Sequence, residues 1–143
     1  GIIYQGVQAQ SSSFNNTASL TQNGNNNSST TILQGSMLSD AGPGSGAGTA
    51  EDNTGTIIQN GSSNGTNVEE GVRINQGING GSAFNNTGYI LQDGDLNNAI
   101  INQGVGNDML SENSDASIYQ YSDNNVASVD QIGINNSATI TQN

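Results

Sequence analysis

The 143-residue chain has no cysteine, histidine or tryptophan, one proline (Pro43) and one cation (Arg73). Without cysteine there is neither a disulfide framework nor thiol chemistry, although this leaves the compartment open. Without histidine or cysteine, acid–base and nucleophilic work would fall to carboxylates, hydroxyls and Arg73. No convergent set of these is visible, so no enzyme, no catalytic residue, no resident metal and no cofactor is expected. Twelve acids against Arg73 give a net charge of −11, which leaves no basic patch to displace phosphate counterions and disfavours nucleic acid as a partner. The acids are dispersed, a pattern that favours solubility and mutual repulsion of monomers. Apolar residues make up only 31%, too few for a compact globule around one three-dimensional core. No run approaches the roughly 18 apolar residues of a membrane span. No signal peptide is visible: Gly1-Ile2-Ile3-Tyr4-Gln5 already reads as a repeat arm, which suits a mature and a truncated start equally.

What the chain does have is a recurring phrase: a small residue, a spacer, Ile/Leu/Val, a spacer, Gln. It ends at Gln5, Gln22, Gln34, Gln59, Gln76, Gln92, Gln103, Gln120, Gln131 and Gln142. Two residues before each Gln stands an aliphatic residue: Ile3, Leu20, Ile32, Ile57, Ile74, Ile90, Ile101, Ile118, Val129 and Ile140. Composition alone would suggest disorder, but disordered tracts have no reason to hold Ile at a fixed offset from Gln. In a strand, positions two and four before the Gln share its face, so each arm reads as a strand of about five residues with Gln, aliphatic and small side chains inward.

Six residues before the Gln stands Asn16, Asn53, Asn86, Asn97, Asn125 or Asn136, with Glu70 and Ser114 as departures. There the chain enters the strand from a turn, and Asn tolerates left-handed backbone angles. Gly follows directly after Gln5, Gln34, Gln76 and Gln103, but one residue later at Gly24, Gly61, Gly94 and Gly133. The first kind precedes wider gaps, so tight turns alternate with longer corners. The expectation is one all-β solenoid over residues 1–143: two facing parallel sheets of about five two-arm rungs, stacked like cross-β about 4.8 Å apart. Ladders of inward Gln would pair amides that are otherwise costly to bury. Residues 36–53, with Pro43 and a dense Gly run, read as a loop extruded from one corner. Phe14 and Phe84 open near-identical Phe-Asn-Asn-Thr phrases and are expected to plug equivalent corners.

Gln131-Ile132-Gly133-Ile134-Asn135-Asn136-Ser137-Ala138-Thr139-Ile140-Thr141-Gln142 resembles the curlin repeat, Gln-x-Gly-x-x-Asn-x-Ala-x-x-x-Gln. The run from Gln92 through Gly94, Asn97 and Ala99 to Gln103 is similar, and Gln120 to Gln131 departs only at Ser122. The resemblance extends over nearly the whole chain, with longer alternate corners than the family's repeats of near 22 residues. It implies a secreted subunit of curli-like amyloid fibres at the bacterial surface, polymerising with itself head to tail. It also implies a related nucleator and a dedicated outer-membrane secretion channel.

Other readings compete with the fibre. Stacking aligns outward Ile58, Tyr89, Leu91 and Tyr119 into a stripe, which is either a lateral contact or ordinary scattered exposure. A fragment of a longer adhesin, or a non-polymerising ice- or carbohydrate-binding solenoid, uses the same repeat. Asp93-x-Asp95-x-Asn97 has the opening of a calcium loop but no downstream glutamate, and reads as a turn.

Overall fold

The structure is a computed structural model that describes residues 1–6, 12–35, 48–66, 71–106 and 108–143. Among these residues there are fifteen β-strands and no helix, hence no helix long and apolar enough to cross a membrane. Alternation dictates the long strands. In β9 (Thr87–Gln92), for example, Gly88, Ile90 and Gln92 are buried while Tyr89 and Leu91 lie on the other face.

The strands form three five-stranded parallel sheets. The first sheet stacks β1 (Ile2–Gln5), β4 (Thr30–Gln34), β7 (Val72–Gln76), β10 (Asn98–Gln103) and β13 (Val126–Gln131). The second stacks β3 (Thr17–Gln22), β6 (Thr54–Gln59), β9, β12 (Asp115–Gln120) and β15 (Ser137–Gln142). Register places Gln on Gln and aliphatic on aliphatic throughout, as in Ile57↔Ile90 and Ile101↔Ile74. The architecture is therefore an all-β solenoid of five rungs with two long sheets, as the repeat implies.

A third sheet enlarges the two-sheet expectation. It consists of β2 (Ser12–Phe14), β5 (Thr49–Glu51), β8 (Ser82–Phe84), β11 (Leu110–Glu112) and β14 (Gly133–Ile134). These short strands lie between the first-sheet and second-sheet strands of each rung, so a rung has three sides. Two corrections follow. Residues 49–51, assigned from sequence to the Gly-rich loop, form β5 and carry buried Ala50; residues 36–47 lie outside the described ones. Phe14 and Phe84 do hold equivalent places, each in register with Glu51, but Phe14 is 61% exposed and plugs nothing.

The two long sheets meet through a thin core of Ile32, Ile57, Ile74, Ile90, Ile101 and Ile118, all fully buried. Close approach explains the small residues opposite. A Cβ on Gly88 would stand 2.9 Å from Ile74 Cγ2, and one on Gly55 would stand 3.0 Å from Ile32 Cγ2. After the first-sheet strands, Gly6, Gly35, Gly77 and Gly104 all turn with φ near +60°. A Cβ on Gly77 would fall 1.7 Å from the Thr49 carbonyl oxygen, so this corner needs glycine for both angle and space.

Candidate assembly surfaces

In the first sheet Gln5 Nε2 donates to Gln34 Oε1 at 2.7 Å. The same bond runs from Gln34 to Gln76, Gln76 to Gln103 and Gln103 to Gln131, each 2.9 Å. The second sheet repeats it from Gln22 to Gln59, Gln92, Gln120 and Gln142, at 2.8–3.0 Å. An amide nitrogen carries two hydrogens. The other donation reaches backbone of the facing sheet: Gln34 to the Thr17 carbonyl, Gln103 to those of Thr87 and Ser114, and Gln120 to that of Asn98. Gln34, Gln76, Gln103 and Gln120 thus each tie their rung to the next and their sheet to the opposite one. All eight ladder bonds point one way, from the lower-numbered rung to the higher.

The Asn positions act differently from the sequence reading. None of Asn16, Asn53, Asn86, Asn97, Asn125 and Asn136 has a left-handed backbone; that angle belongs to the preceding residue at the third-sheet corner, Asn15, Asp52, Asn85, Asn113 and Asn135. At the tight corner it falls on Asn26, Ser63, Leu96 and Asn124. The inward Asn instead build ladders of their own. Asn16 Oδ1 accepts the Asn53 backbone N–H, Asn53 Oδ1 that of Asn86, and Asn86 Oδ1 that of Ser114, all at 2.8–2.9 Å. The Ser114 hydroxyl keeps this column going by accepting from Asn136 N–H. A second column runs Asn27, Asn64, Asn97, Asn125. Sequence reading missed Asn27 and Asn64 because extra residues precede β4 and β7 and move them off the six-residue offset; Glu70 lies outside the described residues.

Gly24, Gly61 and Gly94 lie at the tight corner, where a Cβ would fall 1.8–2.3 Å from the carbonyl oxygen of the next rung. Gly133 is not their equivalent: it belongs to β14, at φ +107° on the other corner. At the tight corner Asp95 accepts the Ser62 N–H and Asp123 accepts the Asp95 N–H, so these carboxylates cap backbone. No three of His, Cys, Asp and Glu converge among the described residues. An outer ladder, Asn75 to Asn102 to Asp130, also went unread.

The outward stripe on the second sheet has partial order. Ile58, Leu91 and Tyr119 stack in one column, and Tyr89 lies diagonal to Tyr119 with ring centroids 5.5 Å apart. Tyr121, outside the expected set, stacks on Tyr119 at 6.3 Å and 15°. Burial, then the neighbouring Tyr119 and Tyr121, push the Tyr89 phenol above its ordinary range.

The end rungs differ from the middle. The strands β1, β2, β3 and β13, β14, β15 are the outer members of their sheets. Ile3 is 42% exposed and Leu20 and Ile140 are half-buried, whereas the equivalent Ile74 and Ile90 are sealed.

Residues 112–143 match the family model of the curlin associated repeat. Over this segment the chain is similar to curlin. No curated protein and no solved structure matches it. The match falls where the spacing between stacked Gln drops to 22, from Gln120 to Gln142. Elsewhere the same step takes 27 to 42 residues. The remaining rungs have longer corners, and the match is narrower than the resemblance read from the arms.

Proposed function

We propose that the chain is a secreted structural subunit that polymerises head to tail into extracellular, curli-like amyloid fibres of a biofilm matrix, serving adhesion and cohesion. The observation that carries this reading is the fit between its two end rungs. Placed on rung 1 of a second copy, rung 5 continues the existing register: Val129 meets Ile3, Gln131 meets Gln5, Ile140 meets Leu20 and Gln142 meets Gln22. The ladder direction makes the ends complementary. Gln131 and Gln142 each spend one N–H on backbone, at Asp115 and Val126, and have the other for the Oε1 atoms of Gln5 and Gln22 in the next copy. Strands β1–β3 contain no ionisable acid or base apart from Tyr4, and β13–β15 only Asp130, so a single carboxylate stands on the strands that would meet and like-charge repulsion between them is small. Heterologous contact of this kind yields a filament rather than a ring.

A related nucleating chain and a curli-type outer-membrane channel are the partners this function adds. The column of Ile58, Leu91 and Tyr119 with Tyr89 is the surface for lateral association of filaments. The alternative is a non-polymerising binding solenoid, including a piece of a longer adhesin.

Proline at the free edge separates the two. The Asp115 and Tyr121 N–H groups reach the carbonyls of Asn136 and Gln142, so even-numbered positions of β15 face rung 4 and Thr139 faces the open edge with its side chain outward. Thr139→Pro removes only a donor that the single chain does not use. By electron microscopy, wild-type chain is expected to give unbranched filaments, and Thr139→Pro chain a folded β monomer that stops growth when mixed in. A wild-type chain that stays monomeric yet β-rich overturns the fibre in favour of the binding solenoid.

A further inference from the structure

Of the four tyrosines, three gather on one outward face. Tyr89 on β9 and Tyr119 on β12 belong to adjacent rungs, and register makes them diagonal neighbours because Tyr119 opposes Leu91 while Tyr89 opposes Ser117. Their ring centroids lie 5.5 Å apart at 42°. Tyr121 stacks on Tyr119 and is 48% exposed. Tyr4 stands on the other long sheet, opposite Leu33. A strand scaffold of this kind fixes the first two phenols relative to one another while leaving both residues partly exposed.

We infer that Tyr89 and Tyr119 form an oxidative cross-linking site, which a peroxide-driven one-electron oxidant converts to a dityrosine joining rung 3 to rung 4. Each phenol gives up one hydrogen atom from its hydroxyl, and the two phenoxyl radicals pair through their ortho carbons. The ortho hydrogens then return to the oxygens as the rings regain aromaticity. The net loss of two hydrogens reduces one hydrogen peroxide to two waters. Tyr121, the most exposed of the three, is where the oxidant first meets the array, and its stacking on Tyr119 lets the radical pass inward by hydrogen-atom exchange. Both bonded residues belong to one chain, so the reaction depends on the fold and not on polymerisation.

The test treats the folded chain with hydrogen peroxide and a haem peroxidase, unfolds it, and cleaves before aspartate. Such cleavage places Tyr89 in a fragment of residues 52–92 and Tyr119 with Tyr121 in residues 115–122. The expected product is these two fragments joined with loss of two hydrogens, fluorescent as dityrosine, and formed in a yield independent of protein concentration. In a mixture of isotopically heavy and light chains the joined fragments should carry one label only. Tyr89→Phe and Tyr119→Phe should each abolish the joined product, with circular dichroism checking that the fold survives. Tyr4→Phe should leave it unchanged, and Tyr121→Phe should slow its formation. Mixed-label products, a link through Tyr4, or hydroxylated tyrosine without the bond would each overturn the inference.

Discussion

Gln103 shows why a solenoid with so little apolar surface holds Gln at a fixed place. Its Nε2 faces three oxygens: Thr87 carbonyl at 3.1 Å, Ser114 carbonyl at 3.0 Å and Gln131 Oε1 at 2.9 Å. Gln103→Glu keeps the shape but turns a donor into a charged acceptor among acceptors. Destabilisation of at least about 3 kcal/mol is expected at neutral pH, from unpaired buried groups and a buried charge. The carboxyl would be driven above its usual range by burial and by those oxygens, so part of the loss should return as pH falls and it becomes a donor. Denaturant melts at neutral and acid pH measure both. Ile101→Ala, at a fully buried position, is expected to cost about 2–5 kcal/mol in the same assay. Tyr89 supplies a pH dependence of the same sign in the alkaline range. Its phenol is raised above the ordinary 10.0, so the native state keeps that proton after the unfolded chain has lost it. Its contribution is full below pH about 10 and disappears as pH rises through the native value. The alkaline fall in melting temperature should be shallower in Tyr89→Phe.

Elements differ in how far the sequence announces them. The long strands are plain in Ala116-Ser117-Ile118-Tyr119-Gln120 and its relatives, because five or six alternating residues are enough to fix a face. The third sheet is not, since Ser82-Ala83-Phe84 or Gly133-Ile134 is too short for a period to register. Its one trace was the Phe-Asn-Asn-Thr phrase, which located two equivalent corners but not the direction of their rings. The Asn columns were half legible: offset from Gln found Asn97 and Asn125, whereas side-chain bonding to the next rung's backbone depends on stacking that no single arm contains. Leu96 marks the conflict between local preference and stacking. It sits at φ +59° in the place held by Asn26, Ser63 and Asn124, and is 45% exposed. A branched apolar residue is disfavoured there, by roughly 1–2 kcal/mol relative to residues that visit this region freely. Leu96→Asn is therefore expected to raise the melting temperature by scanning calorimetry, and a fall would mean that Leu96 packs against something more valuable than the strain it carries.

At the scale of the whole molecule, stability is distributed by neighbour contact, so middle rungs are sealed while β1, β3 and β15 of the end rungs are partly open; in β13 Ala127, Val129 and Gln131 stay buried. Ile74 and Ile101 gain from rungs on both sides; Ile3 and Ile140 have one each. The same difference that leaves the ends less stable in a single chain favours covering them with another copy. The junction between copies can be read directly, because the chain has no native cysteine and its outward Thr21 and Thr141 would stand in register across it. Strand neighbours about 4.8 Å apart fall within disulfide range. The decisive measurement mixes Thr21→Cys chains with Thr141→Cys chains, lets them assemble, oxidises mildly and identifies the linked pairs by mass spectrometry. Head-to-tail stacking predicts links between a Thr21→Cys chain and a Thr141→Cys chain, forming only in filaments. Links between two identical variants, or filaments with no cross-link at all, would contradict it.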